Sequence, residues 1–192
     1  MGVRVLLEEI GARYELISTT TIRGEPRPSK QLSINPNGWI PVLIWDDGAM
    51  YECAAITIFL CDRYQAAQLA PTPNSPLRSL FLQTLVYFSS SIQTAFQQDY
   101  HPYRFADKIE DEPGAQRRGQ KRLMETLRII DDQIGEKKWI LGECFSAADI
   151  YLYMLTTWLK PSREHPELSN FPNVQRIAQQ TGVRPSVKLV YG

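Results

Sequence analysis

The chain has 192 residues, which is enough for one large domain or two small ones with a sizeable core. Lysine plus arginine equals aspartate plus glutamate at 21 each, so long-range attraction to nucleic acid or to an acidic membrane is not expected. The three cysteines have no paired spacing, which argues against a disulfide framework and a zinc site, so reduced thiols in the cytoplasm are expected. The chain has no run of about 18 apolar residues, so no membrane span is expected.

The first third of the chain alternates helical and strand patterns. Residues 3–10 place apolar side chains at helical spacing, and Gly11 follows as a C-terminal stop. Residues 14–17 (YELI) alternate and predict a short strand. Residues 18–29 hold a glycine and two prolines and predict a loop, while residues 29–34 predict one helical turn.

A compact ligand platform is predicted from Asn35 to Tyr64. Residues 35–38 (NPNG) form a turn signal, and the apolar run Trp39–Trp45 follows. This run and Ala49–Tyr51 predict a hairpin across a glycine turn, and the pattern becomes helical from Ala55.

The rest of the chain is helical in pattern. Residues 65–76 contain three prolines and no periodicity, and they predict a linker. A long amphipathic stretch over residues 77–96 and a helix over residues 113–134 follow. Ser146 and Asp149 have the spacing of a helix capping box. The sequence therefore predicts an α/β part followed by an all-α part.

Pro41 lies inside an apolar strand pattern, where proline cannot donate a ladder hydrogen bond. If the Ile40–Pro41 bond is cis, the Ile40 backbone turns outward and an extended peptide can pair with it as an added strand. An ordinary trans-proline at the start of a strand is the alternative, and the residues leave both open.

Glu52 and Cys53 precede the helical pattern that begins near Ala55. Free N–H groups at a helix N-terminus attract a carboxylate, and the Glu52 carboxylate can accept a hydrogen bond from an ammonium group. Together they would suit the zwitterionic end of an amino-acid-like ligand. A simple capping arrangement explains the same residues, so both interpretations stay open.

Cys53 also allows two interpretations. A thiol at a helix start can have a lowered pKa and be reactive, but no flanking cation supports a thiolate here, and a buried small residue is the alternative. His101 and His165 each precede a proline outside any nucleophile or metal pattern. Structural roles are therefore expected for both histidines.

These segments together resemble the cytosolic glutathione S-transferase family, and their residues are most similar to those of bacterial beta-like members. The resemblance is carried by VRVLLEEIGARYELI, NPNGWIPVL, DDG, YECAAITIFL, the proline-rich linker and FSAADIYLY, and it covers nearly the whole chain. It implies a thioredoxin-like glutathione-binding domain over residues 1–66, a linker over 67–75 and an all-helical domain over 76–192. A twofold homodimer in the cytoplasm is implied as well.

The resemblance also implies roles at the glutathione site. Pro41 matches the family's cis-proline, and Ile40 matches the residue whose backbone pairs with the cysteinyl unit of glutathione. Glu52 and Cys53 match a Glu-Ser pair that holds the γ-glutamyl end, with Cys in place of Ser. A thiol is a poor hydrogen-bond donor, so the side-chain bond is expected to weaken while the backbone N–H remains.

Two departures from the family pattern concern activation of the glutathione thiol. Family members begin with a strand that ends in a Tyr, Ser or Cys activator, whereas this sequence starts at about the first helix. We expect that strand to be encoded upstream of Met1, or replaced by local rearrangement or a partner chain. Beta-like members often carry a His on the long helix, where this chain has residues 93–96 (QTAF).

Two hypotheses follow from the sequence. In the first, glutathione thiolate attacks a hydrophobic electrophile in the full-length parent, and the reaction is weak or absent in this chain. In the second, the fold is a non-catalytic binding or assembly module.

Overall fold

The computed structural model describes residues 1–19 and 25–192, so part of the predicted loop at 18–29 lies outside the described residues. Two short strands lie between helices in the first part, and the second part is helical. The regular elements are α1 (Gly2–Ile10), α2 (Ser29–Ile34), β1 (Val42–Trp45), β2 (Gly48–Tyr51), α3 (Cys53–Arg63), α4 (Arg78–Tyr87), α5 (Gln93–Tyr100), α6 (Glu112–Ile134), α7 (Ala147–Thr156), α8 (Pro172–Gly182) and α9 (Pro185–Tyr191).

Helix α1 ends where the sequence predicts. Gly11 has φ of 72°, a left-handed conformation that glycine adopts without steric cost. Its N–H donates to the Glu8 carbonyl at 3.1 Å, and the Ala12 N–H donates to the Leu7 carbonyl at 3.1 Å. These bonds satisfy carbonyls that the helix end would otherwise leave unpaired.

The strand predicted at residues 14–17 is wrong. The sheet within the described residues has two strands, β1 and β2, and residues 14–17 lie outside it. The Tyr14 hydroxyl instead bonds to the Arg4 and Glu8 side chains of α1, while Leu16 and Ile17 are 64% and 65% exposed. A strand exists only through ladder hydrogen bonds to a neighbour, and the alternating pattern alone cannot supply them.

The predicted hairpin is confirmed. Strands β1 and β2 pair antiparallel, with Val42 opposite Tyr51 and Trp45 opposite Gly48. A Cβ on Gly48 would lie 2.8 Å from the Trp45 ring, so only glycine fits beneath that indole. Trp45 also stacks on Phe59 of α3 at 4.7 Å between ring centroids, which fixes the hairpin against the helix that follows it.

The second part has the predicted helical character. A π-helical turn, Phe88–Ile92, joins α4 to α5 within the long amphipathic stretch. The capping box at the start of α7 is confirmed: the Asp149 carboxylate accepts from the Ser146 N–H at 2.8 Å. No helix that the structure describes is both long and apolar enough to cross a membrane.

Direct bonds join the first part of the chain to the second. Arg78 of α4 forms an ion pair with Asp62 of α3 at 2.8 Å and donates to the Pro71 carbonyl at 3.1 Å. The Ala147 N–H at the start of α7 donates to the Leu69 carbonyl at 2.8 Å. One apolar cluster includes residues from both parts. The predicted class, α/β followed by all-α, is confirmed.

Candidate functional site

The turn before Ile40 is held by the Asn35 side chain, which is 2% exposed. Its amide donates to the Trp39 carbonyl at 3.0 Å and accepts from the Asn37 N–H at 3.1 Å. Gly38 closes the turn with φ of 67°, and a Cβ there would lie 2.8 Å from Cγ of Arg27. The conformation of the segment that presents Ile40 is therefore fixed by buried hydrogen bonds.

The Ile40–Pro41 peptide bond is cis, as the resemblance implies. Ile40 is 57% exposed, and its backbone N–H and C=O make no hydrogen bond to other residues that the structure describes. Strand β1 begins directly after Pro41, at Val42. Within the described residues, Ile40 therefore has a backbone donor and a backbone acceptor that an extended ligand can pair with.

Glu52 lies between β2 and α3 with φ of 74° and ψ of 115°. A non-glycine residue in such a sparsely populated region costs about 1–3 kcal/mol and is a recurrent feature of functional sites. Its exposed side chain does not cap α3, and its carbonyl accepts from the Ile56 N–H at 2.9 Å. The first-turn N–H groups of α3 are therefore free of a side-chain cap and lie beside an exposed carboxylate.

Cys53 is buried, with 7% of its surface exposed, which agrees with the alternative that it is a buried small residue. Burial raises the pKa of its thiol to about 11, although hydrogen bonding with Tyr151 and Thr57 acts in the opposite direction. A thiol with such a pKa is almost entirely protonated at neutral pH, so it is a poor nucleophile.

Tyr151 extends this buried polar cluster toward the long helix. Its hydroxyl donates to the side-chain carbonyl of Gln93, the residue at the start of α5. Burial is the main cause that raises the pKa of Tyr151 far above its ordinary value. The side-chain carbonyl of Gln93 is thus occupied by a hydrogen bond, and the side chains of Cys53, Tyr151 and Gln93 carry no charge at neutral pH.

Three other tyrosines, two on the long helix and one just after it, contact neighbouring residues. The Tyr87 hydroxyl donates to the Thr126 carbonyl at 3.3 Å, and the Tyr100 hydroxyl donates to the Trp158 carbonyl at 2.7 Å. Tyr103 lies beside His101, with ring centroids 5.8 Å apart.

Sequence reasoning missed one contact at this site. Cζ of Arg104 lies 4.7 Å from the centroid of the Trp39 ring, although the two residues are 65 positions apart. Arg104 ends a short 3₁₀ turn, Pro102–Arg104, that follows α5. A lone arginine after an aromatic residue is common on protein surfaces, so the sequence holds no signal for this contact.

Comparison with known proteins places these features in a family context. A family model described as "Glutathione S-transferase, C-terminal domain" matches residues 113–179. The glutathione S-transferase GstA of Escherichia coli O157:H7 is 25% identical over 190 residues, which are 98% of this chain and 90% of that protein.

Solved structures agree with this comparison. A sphingomonad glutathione S-transferase, solved in complex with glutathione, is 27% identical with a TM-score of 0.81, covering 98% of this chain and 90% of that one. A glutathione transferase homologue from Sulfitobacter has a TM-score of 0.88 at 23% identity, covering 99% and 90% of the two chains, which is evidence of a shared fold. The small sheet and the helical part fit a thioredoxin-like domain followed by a helical domain.

Proposed function

We propose that this chain, which belongs to the glutathione S-transferase family, binds glutathione at the segment formed by Ile40, Pro41, Glu52 and Cys53. The tripeptide would lie on the first domain, residues 1–66, and a hydrophobic electrophile would lie against the helical domain, residues 76–192. The observation that carries the proposal is the uncapped N-terminus of α3 beside the exposed Glu52 carboxylate.

The cysteinyl unit and the γ-glutamyl end of glutathione each have complementary groups. The Ile40 backbone, unpaired within the described residues, offers a donor and an acceptor to the cysteinyl unit, as in strand addition. The N–H groups of α3 attract the α-carboxylate of the γ-glutamyl end, because the positive end of the helix dipole lies there. The Glu52 carboxylate accepts hydrogen bonds from the ammonium group of the same unit.

The reaction would be transfer of glutathione to an electrophilic carbon. The thiolate forms a carbon–sulfur bond, the leaving group departs with its electron pair, and the thiol proton passes to solvent. Rate depends on the thiolate fraction, which a neighbouring donor or cation must raise.

We propose that conjugation by the 192-residue chain is slow. Cys53 and Tyr151 are buried, and Gln93 is neutral and accepts a hydrogen bond from the Tyr151 hydroxyl. These groups therefore do not offer a charge or an exposed donor that would stabilise the glutathione thiolate. Turnover of a chloronitroaromatic electrophile at a rate typical of conjugating enzymes would contradict this part of the proposal.

Binding is tested by calorimetric titration with glutathione. We expect Glu52→Gln to weaken binding by about tenfold, because a charge-assisted hydrogen bond becomes a neutral one. Glu136→Gln, at an exposed position after α6, is the matched control and should bind as the wild type does. Absence of binding by the wild type would overturn the glutathione site.

A non-catalytic binding or assembly module is the second candidate function. The buried Cys53, in place of the family's serine, favours it because the γ-glutamyl end then loses a side-chain hydroxyl. Glutathione binding without conjugation would support a binding module, and absence of both would support an assembly role. A cytoplasmic homodimer is part of the proposal in either case, and sedimentation equilibrium would measure the association.

A further inference from the structure

Tyr151 of α7 joins the helical part of the chain to the N-terminus of α3. Its hydroxyl donates to the side-chain carbonyl of Gln93, at the start of α5. The same side chain lines a narrow gap together with Cys53 and Thr57 of α3. Tyr151 is only 2% exposed, so it lies inside the contact between the two parts.

Cys53 is the residue through which Tyr151 can act on α3. It is the first residue of that helix, and burial raises the pKa of its thiol to about 11, an effect that hydrogen bonding with Tyr151 opposes. The Cys53 carbonyl accepts from Thr57 Oγ1 at 2.8 Å, which bonds the first turn to the next one. Because the Cys53 side chain is buried in a close-packed interior, its contact with Tyr151 fixes the backbone position of that first turn.

Two contacts with the long amphipathic stretch hold Tyr151 itself. One is the hydrogen bond to Gln93. The other is an edge-to-face contact with Phe88, whose ring centroid lies 5.6 Å away at an interplanar angle of 68°. Phe88 begins the π-helical turn and Gln93 directly follows it, so the tyrosine is anchored on both sides of that turn.

We propose that Tyr151 is a positioning residue for glutathione, which acts through Cys53 to hold the first-turn N–H groups of α3 where the α-carboxylate of the γ-glutamyl end meets them. The inference rests on the proposed function, in which that carboxylate lies at α3 but Tyr151 has no role. Hydrogen bonds need a donor–acceptor distance of about 2.7–3.2 Å, so a small shift of these N–H groups weakens them. Loss of the hydroxyl should therefore reduce affinity only for ligands that carry this carboxylate.

The test compares two ligands by calorimetric titration. They are glutathione and γ-aminobutanoyl-cysteinyl-glycine, which retains the ammonium group but has hydrogen in place of the α-carboxylate. We expect the wild type to prefer glutathione by about tenfold. Tyr151→Phe should weaken glutathione binding alone and reduce this preference to about threefold. Tyr87→Phe is the matched control, because it also loses a hydroxyl bond, to the Thr126 carbonyl of α6, and should keep the wild-type preference.

A double-mutant cycle tests whether Tyr151 acts through Cys53. Cys53→Ala removes the thiol but leaves every backbone N–H of α3 in place, so it should reduce the preference for glutathione about as far as Tyr151→Phe does. The double variant should lose no more than either single variant, because both substitutions remove the same contact. A residue needed only for folding would instead lower the free energy of unfolding and weaken both ligands equally.

The outcomes separate this inference from the function on which it rests. If Tyr151→Phe keeps the wild-type preference, or if the effects of the two single substitutions add, the role of Tyr151 is overturned and the glutathione site stands. A wild type that binds both ligands equally would overturn the inference and the placement of the α-carboxylate at α3, but not glutathione binding. If the wild type binds neither ligand, both proposals are overturned.

Gln93→Leu provides a second variant. It retains Tyr151 and Cys53 but removes the acceptor that holds the hydroxyl, so the preference for glutathione should again fall below that of the wild type. An undiminished preference in Gln93→Leu would contradict the anchoring of Tyr151 on α5.

Discussion

Nε2 of His165 lies 2.8 Å from Oδ2 of Asp99, and neither side chain has any exposed surface. The other ring nitrogen, Nδ1, accepts the Lys160 N–H at 3.0 Å, so Nε2 carries the proton and donates to the carboxylate. Arg163 Nε donates to the same Oδ2 at 2.8 Å. Both nitrogens of His165 are occupied, which makes it a structural residue, as expected from the sequence.

Substitution of Asp99 by asparagine tests the importance of this cluster. The amide oxygen can still accept from His165 and Arg163 but carries no charge, and the new NH₂ group then meets the Gln116 NH₂ donor, which bonds to Oδ1 of Asp99 at 3.3 Å in the wild type. We expect the free energy of unfolding in urea to fall by about 2–3 kcal/mol, because hydrogen bonds to a charged group are lost in a buried site. Asp107→Asn, at an exposed position, should remain within about 0.5 kcal/mol of the wild type. Equal effects of the two substitutions would contradict the prediction.

The contact between Asp99 and His165 also predicts how the stability of the fold depends on pH. Burial alone would raise the pKa of Asp99, but hydrogen bonds from Arg163 and His165 outweigh burial and hold the pKa below its ordinary value. A carboxyl with a depressed folded-state pKa stabilises the fold fully above its ordinary pKa of about 4 and loses that contribution as the pH falls through the folded value. The stability difference between wild type and Asp99→Asn should therefore be constant near neutral pH and narrow below about pH 4.

Local signals in the sequence predict much of this fold. Helical spacing before Gly11, the glycine turn at Gly48 and the Ser146–Asp149 box each act within a few residues, so each can be read directly. The strand predicted at residues 14–17 fails because a strand depends on a distant partner. The contact of His165 with Asp99 likewise spans 66 positions and has no periodic signature.

Some features of the candidate site can likewise be predicted from local sequence signals, and others cannot. Ile40, Pro41 and Glu52 are found from turn signals and a helix start, and the resemblance adds the cis geometry. The positive φ of Glu52 is not predictable, because glutamate has no preference for that conformation. The burial of Cys53 against Tyr151 and the stacking of Arg104 on Trp39 depend on how the two parts of the chain pack, which local patterns do not encode.

Cysteine reactivity distinguishes buried from exposed thiols. Burial raises the pKa of Cys53 to about 11 and that of Cys61 to about 12, whereas Cys144 is exposed. We expect an aromatic disulfide reagent at pH 8 to modify Cys144 rapidly and the other two only as the protein unfolds, because the thiolate is the nucleophile. Cys144→Ser should abolish the fast phase. A fast phase that survives in this variant would show that a buried thiol is accessible.

The ion pair between Glu9 and Arg184 is expected to stabilise contact between α1 and α9. Two parallel bonds of 2.7 Å join the carboxylate to the guanidinium, and Arg184 also lies 3.8 Å from the Phe145 centroid. A double-mutant cycle with Glu9→Gln and Arg184→Met should give a coupling energy of about 1–2 kcal/mol in urea unfolding. The exposed pair Lys121–Glu125, 4.0 Å apart, should give less than about 0.5 kcal/mol. Comparable coupling in the two cycles would contradict the role assigned to Glu9.

Gly119 allows α6 to approach α5 beside the Asp99 cluster. A Cβ at this position would lie 2.7 Å from the Asp99 backbone nitrogen and 3.0 Å from the Ala95 carbonyl oxygen. Because both are backbone atoms of α5, relief of the clash would require displacement of that helix. We expect Gly119→Ala to lower the free energy of unfolding by about 1–3 kcal/mol.

Gly114 of the same helix is the matched control. A Cβ there has only the flexible Arg117 guanidinium nearby, at 4.0 Å. Gly114→Ala should therefore raise the free energy of unfolding by about 0.4–1 kcal/mol, because alanine has less conformational entropy in the unfolded chain. Urea unfolding of both variants measures the sign of each change. If alanine stabilises the fold at both positions, the close approach of α5 and α6 at Gly119 is wrong, and so is the backbone placement of Asp99 that depends on it.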